Sequence, residues 1–219
     1  MSAKITSINY CPVKSVSFQS VENCKIKKNI GIIGDRIFAF AKDLDLEQAK
    51  LFEKSPAERK GKWNKVLTLK NSPALNKYNF IFKDEKLTLT FKDNEILSID
   101  INQSTEREAL SNKISELESS LKQPITLMKN DAFPFFDTSI SKKVDFVNSV
   151  SLLNFQSIND FEKKVGKKIE TSIFRGNICI DGLEPWKERE WIGKTIKINN
   201  VSFKVEKNIP RCVAINLKP

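Results

Sequence analysis

The sequence predicts a β-rich α+β fold. Short segments with alternating or β-branched apolar residues recur along the chain, and turn residues separate them at close intervals. Two longer segments carry apolar residues at the spacing of an amphipathic helix. With 219 residues, 40% of them hydrophobic, the chain can form a complete core and is long enough for one large domain or two small ones.

The N-terminal half is predicted to consist mostly of strands. These are expected at residues 4–10, 18–27, 36–42, 65–70, 78–83, 86–91 and 95–101. Turns are expected at Gly31 to Gly34, Asp84-Glu85 and Asp93-Asn94. The charged segment 43–64 predicts a short helix and a loop. So many short strands with close turns favour a small antiparallel barrel or sandwich.

The C-terminal half is predicted to mix two helices with further strands. A helix at 105–122 would begin with a capping box from Thr105 to Glu108, and a helix at 150–165 would be capped by Ser149 and ended by Gly166. Strands are expected at 125–129 and 178–181, and a hairpin at 194–198 and 201–207 across Asn199-Asn200. The first helix would connect an N-terminal domain, 1–122, to a C-terminal domain, 123–219.

The amino-acid composition excludes several kinds of catalytic and metal site. The chain has no histidine, which excludes Ser-His-Asp and Cys-His catalysis. Its four cysteines form no C-x-x-C pair, so neither a structural zinc site nor an iron–sulfur cluster is expected. We predict free thiols and a cytoplasmic location, since no signal segment or membrane span is evident. The net charge of +10 comes mainly from scattered lysines, which favours a solvated surface over nucleic-acid binding.

Four short segments carry residues suited to an anion or a metal. Arg211 precedes Cys212, and a neighbouring guanidinium favours the thiolate, a nucleophile and soft metal ligand. Arg175 offers a fork of donors that fits phosphate, with Asn177 close by. Lys14-Ser15 follows the first strand, and Asp35-Arg36 forms a turn before the third. Taken singly, each segment is more often an ordinary surface or turn feature.

In order along the chain, these segments resemble the MOSC family, the molybdenum-cofactor sulfurase C-terminal domain. The resemblance rests on YCPVKS, GDR, FRGN, DGLEPWKEREW and PRC, and it covers almost the whole chain. The early part is similar to the β-barrel domain that precedes MOSC in the mitochondrial amidoxime-reducing component and its bacterial relatives. The resemblance implies a barrel-like domain at 1–122 and a MOSC β-barrel domain at 123–219.

The resemblance implies a cofactor site. Cys212 matches the cysteine that ligates molybdenum, and Arg211 is counted among the cofactor-binding residues. Further residues match positions that contact the pterin and phosphate: Lys14, Ser15, Arg36, Arg175, Asn177, and either Ser149 or Ser151. The site is expected in a cleft between the two halves.

The sequence departs from the family at four points. Gly176 replaces the usual proline, and Pro210 stands where the family often has a small polar residue. Residues 47–64 fit poorly to the segment in which the family carries an arginine near a proline, and Arg59 is the candidate for that arginine. Because the chain ends soon after Cys212, we expect a C-terminally truncated domain.

Three functions follow as alternatives. The first is a molybdenum-cofactor oxidoreductase that reduces N-hydroxylated or related N-oxygenated substrates with electrons from a separate protein, since no haem, flavin or cluster motif is evident. The second is a sulfur carrier that delivers a Cys212 persulfide to the cofactor; no pyridoxal-phosphate domain is present to supply that sulfur. The third, suggested by charge alone, is a basic polyanion-binding module.

Overall fold

The computed structural model describes residues 3–16, 18–121, 124–136 and 149–209. Within these ranges more residues lie in strands than in α-helices, which confirms the β-rich α+β class. The strands are β1 (Lys4–Tyr10), β2 (Gln19–Val21), β3 (Ile26–Lys27), β4 (Gly31–Ile32), β5 (Phe38–Lys42), β6 (Tyr78–Lys83), β7 (Lys86–Phe91), β8 (Asn94–Asp100), β9 (Ile125–Lys129), β10 (Leu152–Asn154), β11 (Ile178–Asp181), β12 (Thr195–Ile198) and β13 (Val201–Lys204). The α-helices are α1 (Leu46–Lys54), α2 (Pro56–Arg59), α3 (Ser104–Leu117) and α4 (Phe155–Val165). Short 3₁₀ turns lie at Trp63–Lys65, Pro73–Lys77, Thr171–Phe174 and Lys187–Trp191.

The described residues form two compact units. The first unit contains residues 3–9, 20–23 and 150–209. The second unit contains residues 10–16, 18–19, 24–121, 124–136 and 149. The domain limits predicted from the sequence, 1–122 and 123–219, stay predictions.

A four-stranded sheet organises the first unit, in the order β10-β11-β1-β2. Strand β11 runs antiparallel to β1 and parallel to β10. It has neighbours on both sides, and its residues Ile178, Cys179 and Ile180 are all buried. Helix α4 follows β10 directly and ends, as predicted, at Gly166, which adopts φ +67°. The β12–β13 hairpin turns at Asn199, also with positive φ, as its sequence predicts.

The second unit holds the main hydrophobic core. Strands β6, β7 and β8 form an antiparallel meander, and β5 pairs with β9. Alternate residues of β7, Leu87 and Leu89, are fully buried. Leu110 and Ile114 of α3 belong to the same core cluster, one turn apart on one face of the helix. The alternation in the strands and the 3.6-residue period in the helix thus bury one face of each element in a common core.

The predicted start of one helix and the predicted cap of another are wrong, and in each case a tertiary contact explains the difference. Helix α4 begins at Phe155 rather than at 150, because residues 152–154 pair with β11. Its N-cap is Asn154, whose side chain accepts from the N–H of Gln156, and not Ser149. Helix α3 begins at Ser104 with no side-chain cap, so the predicted capping box does not form. Glu106 instead accepts a hydrogen bond from the N–H of Asp100, at 2.6 Å.

Two predicted strands also differ. The segment 18–27 contains two short strands, β2 and β3, separated by residues outside any strand. The strand predicted at 65–70 is absent: Val66 makes a single bridge to Ala41, and the chain continues toward the 3₁₀ turn that begins at Pro73. Val66, Leu67 and Leu69 are nevertheless buried. The apolar pattern that suggested a strand therefore places side chains in the core without strand pairing along the segment.

Candidate functional site

Two of the predicted anion-binding segments lie side by side in the second unit. Residues 11–14 and 35–38 are joined by four hydrogen bonds, although more than twenty positions separate them in the sequence. The bonds run from Arg36 N–H to Cys11 O (2.6 Å), Phe38 N–H to Pro12 O (3.0 Å), Lys14 N–H to Phe38 O (2.8 Å) and Cys11 N–H to Asp35 Oδ1 (2.8 Å). The fold therefore brings Lys14 and Arg36 onto one hydrogen-bonded framework, and Ser15 follows Lys14 directly in the chain.

Asp35 anchors this framework. It is 1% exposed, and its two carboxylate oxygens bind the N–H of Cys11 and the guanidinium of Arg36. Burial acts to lower the pKa of Arg36, but the charge of Asp35 and its hydrogen bond outweigh burial, and the pKa is raised above the usual value of an arginine. Arg36 thus remains a fixed cation at physiological pH.

Both cations of this group lie over aromatic rings. The guanidinium carbon of Arg36 is 5.0 Å from the ring centroid of Phe136, and the ammonium of Lys14 is 5.0 Å from that of Trp63. Lys14 is only 6% exposed, whereas Ser15 is half-buried. A fixed guanidinium, an ammonium and a hydroxyl are the donors that an anionic group such as phosphate requires.

Arg175 and Asn177 lie in the first unit, in the turn between a 3₁₀ segment and β11. Arg175 has a positive φ of 48°, and its side chain is half-buried. Asn177 is 3% exposed, and its Oδ1 accepts from the N–H and hydroxyl of Ser151 at 3.1 and 2.8 Å. Its Nδ2 donates to the carbonyl of Asn9 at 3.1 Å. These contacts of Asn177 therefore fix the turn that carries Arg175.

Asn9, near the end of β1, completes this network. Its backbone N–H donates to the carbonyl of Asn177 at 2.7 Å, and its side chain donates to the carbonyl of Gly176 at 3.1 Å. The sequence analysis did not single out Asn9. The signal that could have found it is a polar residue at a position where the strand turns from exposed to buried.

The structure revises the interpretation of Gly176. A Cβ added at this position would lie 2.9 Å from the Cβ of Leu153 in β10. From the sequence, a glycine beside Arg175 would let a ligand approach the backbone closely, but the close neighbour in the structure is β10, a strand of its own sheet.

The two candidate serines occupy different environments. Ser149 is exposed, whereas Ser151 is 8% exposed and its hydroxyl both donates to Asn177 and accepts from the Asn177 N–H, at 2.9 Å. Ser151 thus acts within the network that holds the Arg175 turn.

The predicted metal ligand, Cys212, and its neighbour Arg211 lie outside the described residues. The other cysteines, all of them free thiols, are Cys11, Cys24 and Cys179. Cys11 and Cys179 are buried; Cys24 is half-buried, and partial burial raises the pKa of its thiol. Over residues 3–209, with the gaps given above, no group of three or more His, Cys, Asp or Glu side chains gathers to hold a metal ion.

Comparison with known proteins supports the resemblance. Residues 143–219 match the family model of the MOSC domain. The C-terminal part of the chain is therefore similar to MOSC domains. Arg175 and Asn177 fall within the matched MOSC segment, and Lys14, Ser15 and Arg36 precede it.

A curated relative agrees with this assignment. The chain is similar to mitochondrial amidoxime reducing component 2 of Bos taurus, at 28% identity over 90 residues. The match spans 41% of this chain and 26% of the bovine protein, so it covers about a quarter of that relative. Among the helices of the described part, none is both long and apolar enough to cross a membrane.

Proposed function

We propose that this MOSC protein binds the molybdenum cofactor and reduces N-hydroxylated or related N-oxygenated substrates. The observation that carries the proposal is the hydrogen-bonded framework of residues 11–14 and 35–38, which holds Lys14 and Arg36 together, with Ser15 next to Lys14 in the chain. The MOSC match and the bovine relative, named as an amidoxime reducing component, favour this cofactor over other anions.

The donor set of the second unit fits the anionic part of such a cofactor. Arg36 and Lys14 would balance the negative charge of a phosphate, and the Ser15 hydroxyl would donate a hydrogen bond to it. The ion pair between Arg36 and Asp35 engages one of the five N–H donors of the guanidinium. The side chain is therefore held in place while the rest of its fork can address a ligand.

Arg175, Asn177 and Ser151, which the resemblance also assigns to the cofactor, lie in the first unit. The network of Asn9, Ser151 and Asn177 fixes the turn of Arg175, so this guanidinium would be presented with little loss of backbone freedom. Cys212 would ligate molybdenum, because a thiolate is a suitable ligand for a soft metal centre. When bound, the cofactor supplies two-electron redox chemistry that no side chain of this chain provides.

The proposed reaction requires an external donor to supply its electrons. Reduction of an N-hydroxyl compound breaks its N–O bond, consumes two electrons and two protons, and releases water. The electrons would come from a separate redox protein.

The test is elemental analysis of protein expressed in a host with intact cofactor synthesis. Wild type should contain molybdenum and releasable pterin, and Cys212→Ala should lose the metal together with any metal-linked reduction of a benzamidoxime probe. Cys24→Ala is the matched control, because Cys24 is a half-buried free thiol outside the proposed site. Unchanged metal content in Cys212→Ala would eliminate the direct-ligand role.

The same samples separate the two alternatives. Intact-protein mass spectrometry that finds sulfane sulfur on Cys212, in protein without molybdenum, would favour the sulfur carrier. Metal-free protein that does not bind the pterin, and that binds DNA or RNA with a steep loss of affinity as salt increases, would favour the polyanion module.

A further inference from the structure

Arg59 is a buried cation to which the proposed site assigns no part. It is 2% exposed, and its guanidinium donates to four backbone carbonyls. These are Phe52 (2.7 Å, from Nε), Phe133 (2.7 Å) and Pro134 (3.2 Å), both from Nη1, and Glu53 (3.2 Å, from Nη2). Burial lowers its pKa to about 10, against the opposing charge of Glu53, so Arg59 stays protonated at neutral pH. A buried charge is tolerated when its donors are satisfied in this way.

The acceptors show what Arg59 holds. Two of its bonds go to the loop at residues 133–136, and the guanidinium lies 4.0 Å from the ring centroid of Phe135 in that loop. Phe135 is fully buried. Arg59 therefore ties this loop to the end of α1, where Phe52 and Glu53 provide the other two carbonyls.

The same loop supports Arg36. The N–H of Phe135 donates to the carbonyl of Arg36 at 2.7 Å, and the ring of Phe136 lies under the Arg36 guanidinium. Arg36 has φ +56°, a conformation that L residues adopt at a cost. External contacts of this kind are what keep such a backbone conformation in place.

We propose that Arg59 is a positioning residue for Arg36: it fixes the 133–136 loop, which in turn sets the backbone and side chain of Arg36 for anion binding. This rests on the proposed function, since it assumes that Arg36 contacts the anion. Without Arg59 the loop would gain freedom, and Arg36 would have to be ordered again each time an anion binds.

The test follows the six arginine side chains by NMR in [¹⁵N]arginine-labelled protein titrated with inorganic phosphate at low salt. In wild type the Nε–H signal of Arg36 should move saturably. In Arg59→Met we expect the chemical shift of the Arg36 Nε–H signal to differ from wild type before phosphate is added. We also expect the dissociation constant for phosphate to rise about two- to tenfold, the range for one side chain that must be ordered on binding.

Arg107→Met is the matched control. Arg107 binds the carboxylate of Glu53 at 2.7 Å, so it lies near the same end of α1 but does not hold the 133–136 loop. Its loss should lower the melting temperature without changing phosphate affinity. Phe136→Leu, which removes the ring under Arg36 and keeps Arg59, should weaken binding in the same direction and serves as the second variant if Arg59→Met does not fold.

A double variant distinguishes a failure of the proposed anion site from a failure of the positioning role of Arg59. If Arg59 acts through Arg36, then Arg36→Met/Arg59→Met binds phosphate no more weakly than Arg36→Met alone. If Arg36→Met itself leaves the affinity unchanged, the anion site in the proposed function is wrong. If Arg36→Met weakens binding but Arg59→Met and Phe136→Leu do not, the positioning role of Arg59 is overturned while the anion site stands.

Discussion

Replacing Ser151 with alanine should destabilise the first unit, whereas the same change at Ser149 should not. The Ser151 hydroxyl makes two hydrogen bonds to Asn177, at 2.8 and 2.9 Å. Each is worth about 1 kcal/mol net, and the buried N–H of Asn177 would lose its acceptor, so we expect a loss of about 2–3 kcal/mol in the free energy of unfolding. At about 2–4 °C per kcal/mol for a chain of this size, the melting temperature would fall by about 4–12 °C.

Thermal unfolding followed by circular dichroism measures this difference directly. Ser149 is exposed, so Ser149→Ala should remain within about 0.5 kcal/mol of wild type. Both variants remove one hydroxyl, and they differ only in what that hydroxyl contacts. Equal melting temperatures for the two variants would refute the view that Ser151 and Asn177 form a stabilising buried network.

Two further predictions concern the same unit. Gly176→Ala should cost about 1–3 kcal/mol by overpacking, because the new methyl group would meet the Cβ of Leu153 at 2.9 Å; chemical denaturation measures this, and a variant as stable as wild type would contradict the geometry. Hydrogen bonds from Lys164 and then from Trp186 lower the pKa of Asp160 below 3.8. The stabilisation from Asp160 is therefore present above pH 3.8 and lost as the pH falls through the lower, folded-state pKa. The NMR signal of the Trp186 indole N–H, followed against pH, should shift with a midpoint at the folded-state pKa of Asp160. In Asp160→Asn this pH-dependent shift should be absent.

The sequence predicted best those elements whose side-chain pattern and turn residues agree. Strands β6 and β7 have the predicted bounds, because their apolar residues alternate and Asp84-Glu85 forms the turn between them. The prediction of a strand at residues 65–70 is wrong, because there the apolar pattern reflected burial and not strand pairing. Val66, Leu67 and Leu69 are apolar and buried, but a sequence pattern reports burial and cannot show whether a partner strand lies alongside.

The candidate site was only partly visible in the sequence. Cationic and hydroxyl side chains at Lys14, Ser15 and Arg36 could be recognised by their chemistry and by the resemblance to MOSC proteins. The residues that hold them could not, because their roles depend on contacts between distant segments. Asp35 binds the N–H of Cys11, and Arg59 reaches carbonyls more than seventy positions away, at Phe133 and Pro134.

Backbone conformation gives an independent reason to group the predicted anion contacts. Eleven non-glycine residues of the described chain have positive φ, and five of them are Asn or Asp, which adopt it readily. Glu85 and Lys92 occupy hairpin turns. The four that remain are Ser15, Arg36, Arg175 and Trp186.

Three of these four are residues that the resemblance assigns to the cofactor, and Trp186 lies in the DGLEPWKEREW segment on which the resemblance also rests. Left-handed conformation costs such residues roughly 1–2 kcal/mol each, so it persists where surrounding contacts enforce it. Asp35 and Phe135 do so at Arg36, and the network of Asn9, Ser151 and Asn177 does so at Arg175. At these positions the surrounding contacts, and not the conformational preference of the residue itself, set the direction in which the turn presents its side chain.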